Sequence, residues 1–112
     1  MSFAQETEKL VNELIQAEYK NACEQHGETY HSLHEGYAVL KEEIEEAVEA
    51  IKSLVAFKKQ IWYYLKKGIH NNGICFEQSV CFAENDVEHA IKELAQVGAV
   101  LQKIKNTLEK AE

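Results

Sequence analysis

The chain has 112 residues, 46% hydrophobic and 28% charged, with a formal net charge of −7 and no proline. That is one domain, residues 1–112, of ordinary globular composition, long enough for its own core and too apolar for a disordered tail. Its basic residues are all lysines interspersed with acids, which speaks against a nucleic-acid partner, and no apolar run approaches the ~20 residues of a membrane span.

Helix-forming Glu, Lys, Ala and Leu dominate, and only five glycines interrupt them, so an all-α fold is expected. The first helix should run from Phe3 to Gln25, with Leu10, Leu14, Ala17 and Tyr19 as its apolar positions and His26-Gly27 as its stop. A second should start near His31-Ser32 and reach Leu54, with Ser32 and Glu35 at capping-box spacing. A third, aromatic helix covers Val55 to Lys67 and ends in two lysines and Gly68. No breaker separates it from the second, so direct continuation is the open alternative. Gly68 to Glu84, containing GIHNNG, shows little periodicity and reads as a long irregular segment. The last helix should begin at a cap on Asn85 or Asp86 and end near Lys110. Together these make a four-helix bundle.

Helical geometry sorts the side chains into faces. Leu33, Tyr37, Leu40, Ile44, Ala47, Ile51 and Leu54 form the expected core stripe of the second helix. Val87, Ala90, Leu94, Val97, Leu101, Ile104 and Leu108 form that of the last. Within KEEIEEAVEAI, Glu42, Glu45 and Glu49 fall on the far side. Glu43 and Glu46 lie on one flank among Val39, Ala47 and Ala50, three residues apart and so adjacent. A faint echo of EIEEAVEA occurs in ELAQVGAV, where Glu93 and Gln96 take the matching flank. If the flanks face one another, three carboxylates and an amide converge. Clustered carboxylates repel and are costly to desolvate, and a hard divalent cation such as Mg²⁺ or Mn²⁺ removes that cost. The alternative is a plain solvated glutamate face; placement beside small apolar residues, on two helices, argues for the site.

Glu42-Glu43-x-x-Glu46 followed by Glu93-x-x-Gln96 resembles the EExxE…ExxD signature of the all-α MazG-like nucleotide pyrophosphohydrolases. The stretches HSLHEGYAVLKEEIEEA and ELAQVGAVLQKI are similar to phage-type members. The other register, Glu45-Glu46-x-x-Glu49, puts its acids mostly on the exposed face. The resemblance covers residues 31–54 and 86–108. It implies Mg²⁺-dependent cleavage of a nucleoside triphosphate to monophosphate and pyrophosphate. It further implies Glu43, Glu46, Glu93 and, through its amide oxygen, Gln96 as metal ligands, catalytic support from Glu42 and Glu43, and assembly as a homodimer or homotetramer. Two departures stand out. Gln96 replaces the last motif aspartate, and the interval between the motifs is long. An uncharged ligand should weaken the metal. A non-catalytic nucleotide- or metal-binding protein, or a structural or regulatory helical oligomer, is therefore the alternative function.

Further candidates are weaker in pattern. Trp62, with Tyr63 and Tyr64, offers a surface for stacking a nucleobase, against the commoner role of core or interface aromatics. Lys58 and Lys59 could reach phosphate, while Lys66 and Lys67 suit a helix C-terminus. His26, His31 and His34 with Glu28 and Glu35 form a cluster that contains half of a di-iron spacing and no second copy. Cys75 and Cys81 lack zinc-finger spacing. The odd count of three cysteines and an N-terminus without a signal-peptide core lead to an expectation of reduced thiols in a cytoplasmic protein.

Overall fold

A computed structural model of the chain describes residues 2–68 and 73–111, with side chains described over 2–68 and 76–111. Three helices account for nearly all of them: α1 Phe3–His26, α2 Leu33–Lys67 and α3 Gly73–Ala111. The fold class is all-α, and the described residues hold no strand. No helix among them is long and apolar enough to cross a membrane.

Local chemistry sets the ends. Ser2 and Gln5 form a reciprocal capping box at α1. At α2 the Ser32 hydroxyl accepts from the Glu35 amide at 3.1 Å, the forward half of the expected box. Gly68 ends α2 in the left-handed region, φ 70°, where its N–H reaches the carbonyls of Tyr64 and Leu65.

The expected count of four helices is corrected. Val55–Lys67 continues the second helix without interruption, because no glycine or proline lies between Tyr37 and Lys67. The expected irregular segment is largely helical as well. Residues 73–84 form the first turns of α3, and Asn85 and Asp86 lie inside that helix instead of capping it. Ala83 and Ala90 on either side of the pair are buried, so packing holds the helix through two residues of low propensity. The GIHNNG stretch between Gly68 and Gly73 lies for the most part outside the described residues.

α3 is the central element and packs on both α1 and α2, which do not pack on one another. α2 and α3 run antiparallel. Gly36 lies against Ile104 near one end, and Tyr64 meets Phe76 near the other. α1 runs parallel to α3: Gly98 faces Ile15, Gln16 bonds Gln102 and Tyr19 accepts from Asn106. The α1–α2 connection is pinned to the same helix, where the Tyr30 amide donates to Thr107 and Asn106 donates to the Glu28 carbonyl.

The seam between α2 and α3 has a heptad rhythm of alternating three- and four-residue steps. Gly36, Leu40, Glu43, Ala47, Ala50, Leu54, Phe57, Ile61 and Tyr64 of α2 are all buried or half-buried. So are Ser79, Ala83, Asp86, Ala90, Glu93, Val97, Val100, Ile104 and Thr107 of α3. The expected core stripes are therefore corrected. Ala47, Ala90 and the half-buried Leu40, Leu54, Val97 and Ile104 do face inward, but Tyr37, Ile44, Ile51, Val87, Leu94 and Leu101 stand exposed. The seam uses small residues, which let the helix axes approach.

Candidate metal centre

Three seam positions hold acids where a heptad calls for apolar side chains, Glu43, Asp86 and Glu93. Glu43 of α2 and Glu93 of α3 meet there because the antiparallel register pairs the middle of one helix with the middle of the other. Glu46 joins them from the next turn of α2. One carboxylate oxygen from each of Glu43, Glu46 and Glu93 lies within 4.8 Å of the others. Among the described residues this is the one set of three or more His, Cys, Asp or Glu side chains close enough to share an ion. Glu93 is buried, at 7% exposure, Glu43 is half-buried and Glu46 is exposed. The trio thus forms a wall with one open side.

No lysine neutralises the trio. Among the described residues the basic side chain nearest a trio oxygen in an ion-pair contact is the exposed His89, whose Nε2 lies 3.6 Å from Glu93 Oε1. Burial pushes the Glu43 carboxyl above the ordinary 4.5 of a glutamate, and the charges of Glu46, Glu93, Glu42 and Glu18 push the same way. Glu46 is raised too. Its hydrogen bond with Glu93 favours the protonated form, burial and the Glu93 charge add to this, and His89 opposes it. Crowding of acids is the common cause.

Gln96 completes the group. Oriented so that both ends of its amide are satisfied, it donates to Glu93 Oε2 and to Glu43 Oε2, each at 3.1 Å. The carboxamide thus ties the two helices together across the acids. Turned over, the same group would present an oxygen.

The donor set suits a hard dication: all oxygens, clustered, with an exposed side left for solvent or substrate. Metal–oxygen bonds of about 2.1 Å put opposite ligands roughly 4.2 Å apart. Adjacent ligands of an octahedral ion lie closer still, roughly 3.0 Å apart, so closing the trio onto such an ion asks for movements on the order of an ångström from flexible glutamates.

Beside this wall, α1 and α2 stand apart over α3 and leave a cleft of about 780 Å³. Glu43 and Gln96 line it, so the trio borders the cleft. His26, His31 and Glu35 of the histidine-rich stretch line it too. Glu42 is exposed, one residue from Glu43 and about 100° round the helix. Trp62, Lys58 and Lys59 are exposed farther along α2; Trp62 lies about 24 Å from Glu46 by helical rise. They do not line the cleft, and Trp62 instead carries the Lys66 ammonium 5.5 Å from its ring centre. Sequence reasoning passed over Lys103 and Tyr30, both in the cleft lining. A signal existed for the lysine: it stands seven residues after Gln96, which puts both on one face of α3.

No protein-family model matches the chain, and no curated protein or solved structure matches it either.

Proposed function

We propose that the protein is a divalent-cation-dependent nucleoside triphosphate pyrophosphohydrolase of the MazG-like kind, releasing a monophosphate and pyrophosphate. The observation that carries this reading is the convergence of Glu43, Glu46 and Glu93 within 4.8 Å, beside a cleft and without a lysine to neutralise them. In this reading the trio holds Mg²⁺ or Mn²⁺, and Gln96 orients two of its members. Glu42, beside Glu43 and open to solvent, positions the attacking water or accepts its proton. Bound there, the cation would neutralise phosphate charge and acidify water. The test is pyrophosphate release from a panel of standard and modified nucleoside triphosphates with Mg²⁺ or Mn²⁺. Release that is lost in Glu46→Gln supports the reading; none from any nucleotide contradicts it.

A second reading rests on Gln96. An amide at that position leaves the group one negative charge short of a four-carboxylate site. This favours a non-catalytic protein that binds nucleotide or metal, or a regulatory helical oligomer. The same panel, read for binding as well as for product, separates the two.

The proposed assembly is a homodimer or homotetramer. It is supported by a second heptad-spaced row one residue on from the seam of each helix. Tyr37, Ile44, Val48, Ile51 and Val55 of α2 are exposed, as are Val87, Ile91, Leu94 and Leu101 of α3. In an antiparallel pair a one-residue offset turns both rows, by about 100° each, to the same side of the hairpin. α1 packs on α3 through Gly98, Gln102 and Asn106 and leaves the exposed members of these rows uncovered. A second copy laid face to face would cover both rows and build a four-helix bundle from two hairpins. A cytoplasmic setting is proposed on the free thiols of Cys23 and Cys81.

A further inference from the structure

Lys103 is the most unusual charged residue of the chain. It is 3% exposed, in the last third of α3 where α1 packs. No carboxylate among the described residues pairs with it, and its Nζ lies over the Tyr30 ring, 4.3 Å from the centre. A ring face attracts a cation but cannot neutralise it. Buried lysines are rare without a counter-charge. The ammonium is not sealed in, because no side-chain N or O among the described residues is both fully enclosed and without a hydrogen bond. Both Lys103 and Tyr30 line the cleft between α1 and α2. The cation therefore meets solvent there, on the helix face that carries Gln96.

We propose that the cleft binds a polyphosphate chain between two points, with Lys103 taking the phosphoryl group farthest from the carboxylates. This rests on the metal reading of Glu43, Glu46 and Glu93 and adds to it a residue that measures chain length. Seven residues of helix separate Gln96 from Lys103, about 10 Å, and the lysine's four-carbon stem shortens the gap. A single phosphate held at the carboxylates cannot also meet the ammonium. A linear triphosphate can span the two. Burial favours such a contact, since a charge-assisted hydrogen bond gains when water is kept away. Besides Lys103 the lining holds Lys92 and the carboxylates of Glu18, Glu35 and Glu43, so acids outnumber lysines and an anion lacking a cation at the carboxylate end would be repelled. Selectivity for metal-bound triphosphate over orthophosphate follows.

The probe is inorganic tripolyphosphate with saturating Mn²⁺, titrated by calorimetry against orthophosphate. Wild type should bind tripolyphosphate tighter than orthophosphate by at least tenfold. Lys103→Met, close in shape and without charge, should lose at least tenfold in tripolyphosphate affinity while keeping its Mn²⁺ affinity. Equal tripolyphosphate binding by both proteins would overturn the proposal. So would Mn²⁺ binding without any tripolyphosphate binding, and the metal reading would then survive alone. If Mn²⁺ does not bind but Lys103-dependent tripolyphosphate binding persists, the metal reading fails and the anion site stands. Should Lys103→Met not fold, reductive methylation of wild type followed by peptide mass spectrometry decides. Slower modification of Lys103 under tripolyphosphate supports the site, and an unchanged rate overturns it.

Discussion

Gln96 does two jobs that pull apart on mutation. Its amide donates to Glu43 and Glu93, so it offsets their repulsion in the absence of metal. Aspartate there would remove both hydrogen bonds and add a fourth charge. Gln96→Asp should therefore lower the melting temperature of metal-free protein, by an amount corresponding to about 1.5–3 kcal/mol for each of the two hydrogen bonds to charged groups. With Mn²⁺ the gap should narrow, because a charged ligand replaces a neutral one; the expected gain is about ten- to thirtyfold in affinity, or about 1–2 kcal/mol. Scanning fluorimetry with and without Mn²⁺ reads both, and Gln96→Asp with weaker Mn²⁺ binding would remove position 96 from the site. The raised carboxyls give a pH signature whose sign is fixed. Glu43 and Glu46 bind protons more readily folded than unfolded. Their contribution to stability is thus fully present below the ordinary 4.5 of a free glutamate and is lost as pH rises through their raised folded values. Relative to a Glu43→Gln, Glu46→Gln double variant, metal-free wild type should lose stability as pH rises from about 4.5 toward neutrality. An identical pH dependence in the two proteins would mean that the acids do not interact. Residue identity made the trio legible in the sequence: Glu43 and Glu46 stand three apart, and Glu93 with Gln96 repeats their spacing. Lys103 shares a helix face with Gln96 in the sequence, but its burial was not legible, because a lysine within a helix reads as solvent-facing until the α1 crossing that covers it is known.

Close approach governs the helices. An added Cβ at Gly98 would sit 3.0 Å from Ile15 Cγ2, against the one helix that walls the far side of the cleft. Gly98→Val should separate α1 from α3 and cost about 1–3 kcal/mol through overpacking, more than any gain in helix propensity restores. Urea denaturation measures it, and a neutral or stabilised Gly98→Val would mean that α1 packs less closely than the contact requires. Helix ends were readable from Ser32 and Gly68, because caps are local chemistry. Continuity of α2 was readable as an open alternative and came from the same rule, the lack of a breaker. The start of α3 was not readable. FEQSVCFAE has no clean single face, and its helix is held by burial of Ala83 and by Phe76 against Tyr64, contacts that belong to α2. Alternate members of the core stripe, Tyr37, Ile44 and Ile51 on α2 and Val87, Leu94 and Leu101 on α3, were misplaced by one residue for a related reason. Each helix carries two heptad rows side by side, and the row of larger residues draws the eye while the row of smaller ones fills the seam.

The whole molecule measures 62 × 37 × 20 Å, long and thin for its chain length, and no large side chain among its described residues is fully buried. Such a shape leaves apolar surface for a second copy. Ile44→Glu with Leu101→Glu, both exposed members of the two rows, should convert a dimer or tetramer to monomer, as read by light scattering. Wild type that is already monomeric at high concentration would contradict the face-to-face assembly. All of this serves one group of atoms at the middle of the hairpin. The measurement that bears on it most directly is calorimetric titration of Mn²⁺ into wild type, Glu46→Gln and Glu45→Gln at neutral pH. Wild type and Glu45→Gln should bind Mn²⁺ and be stabilised by it, by about 2.7 kcal/mol at a hundred times Kd, while Glu46→Gln should lose the binding and keep its fold. No Mn²⁺ binding by wild type, or binding that Glu46→Gln leaves unchanged, would contradict a metal centre at Glu43, Glu46 and Glu93.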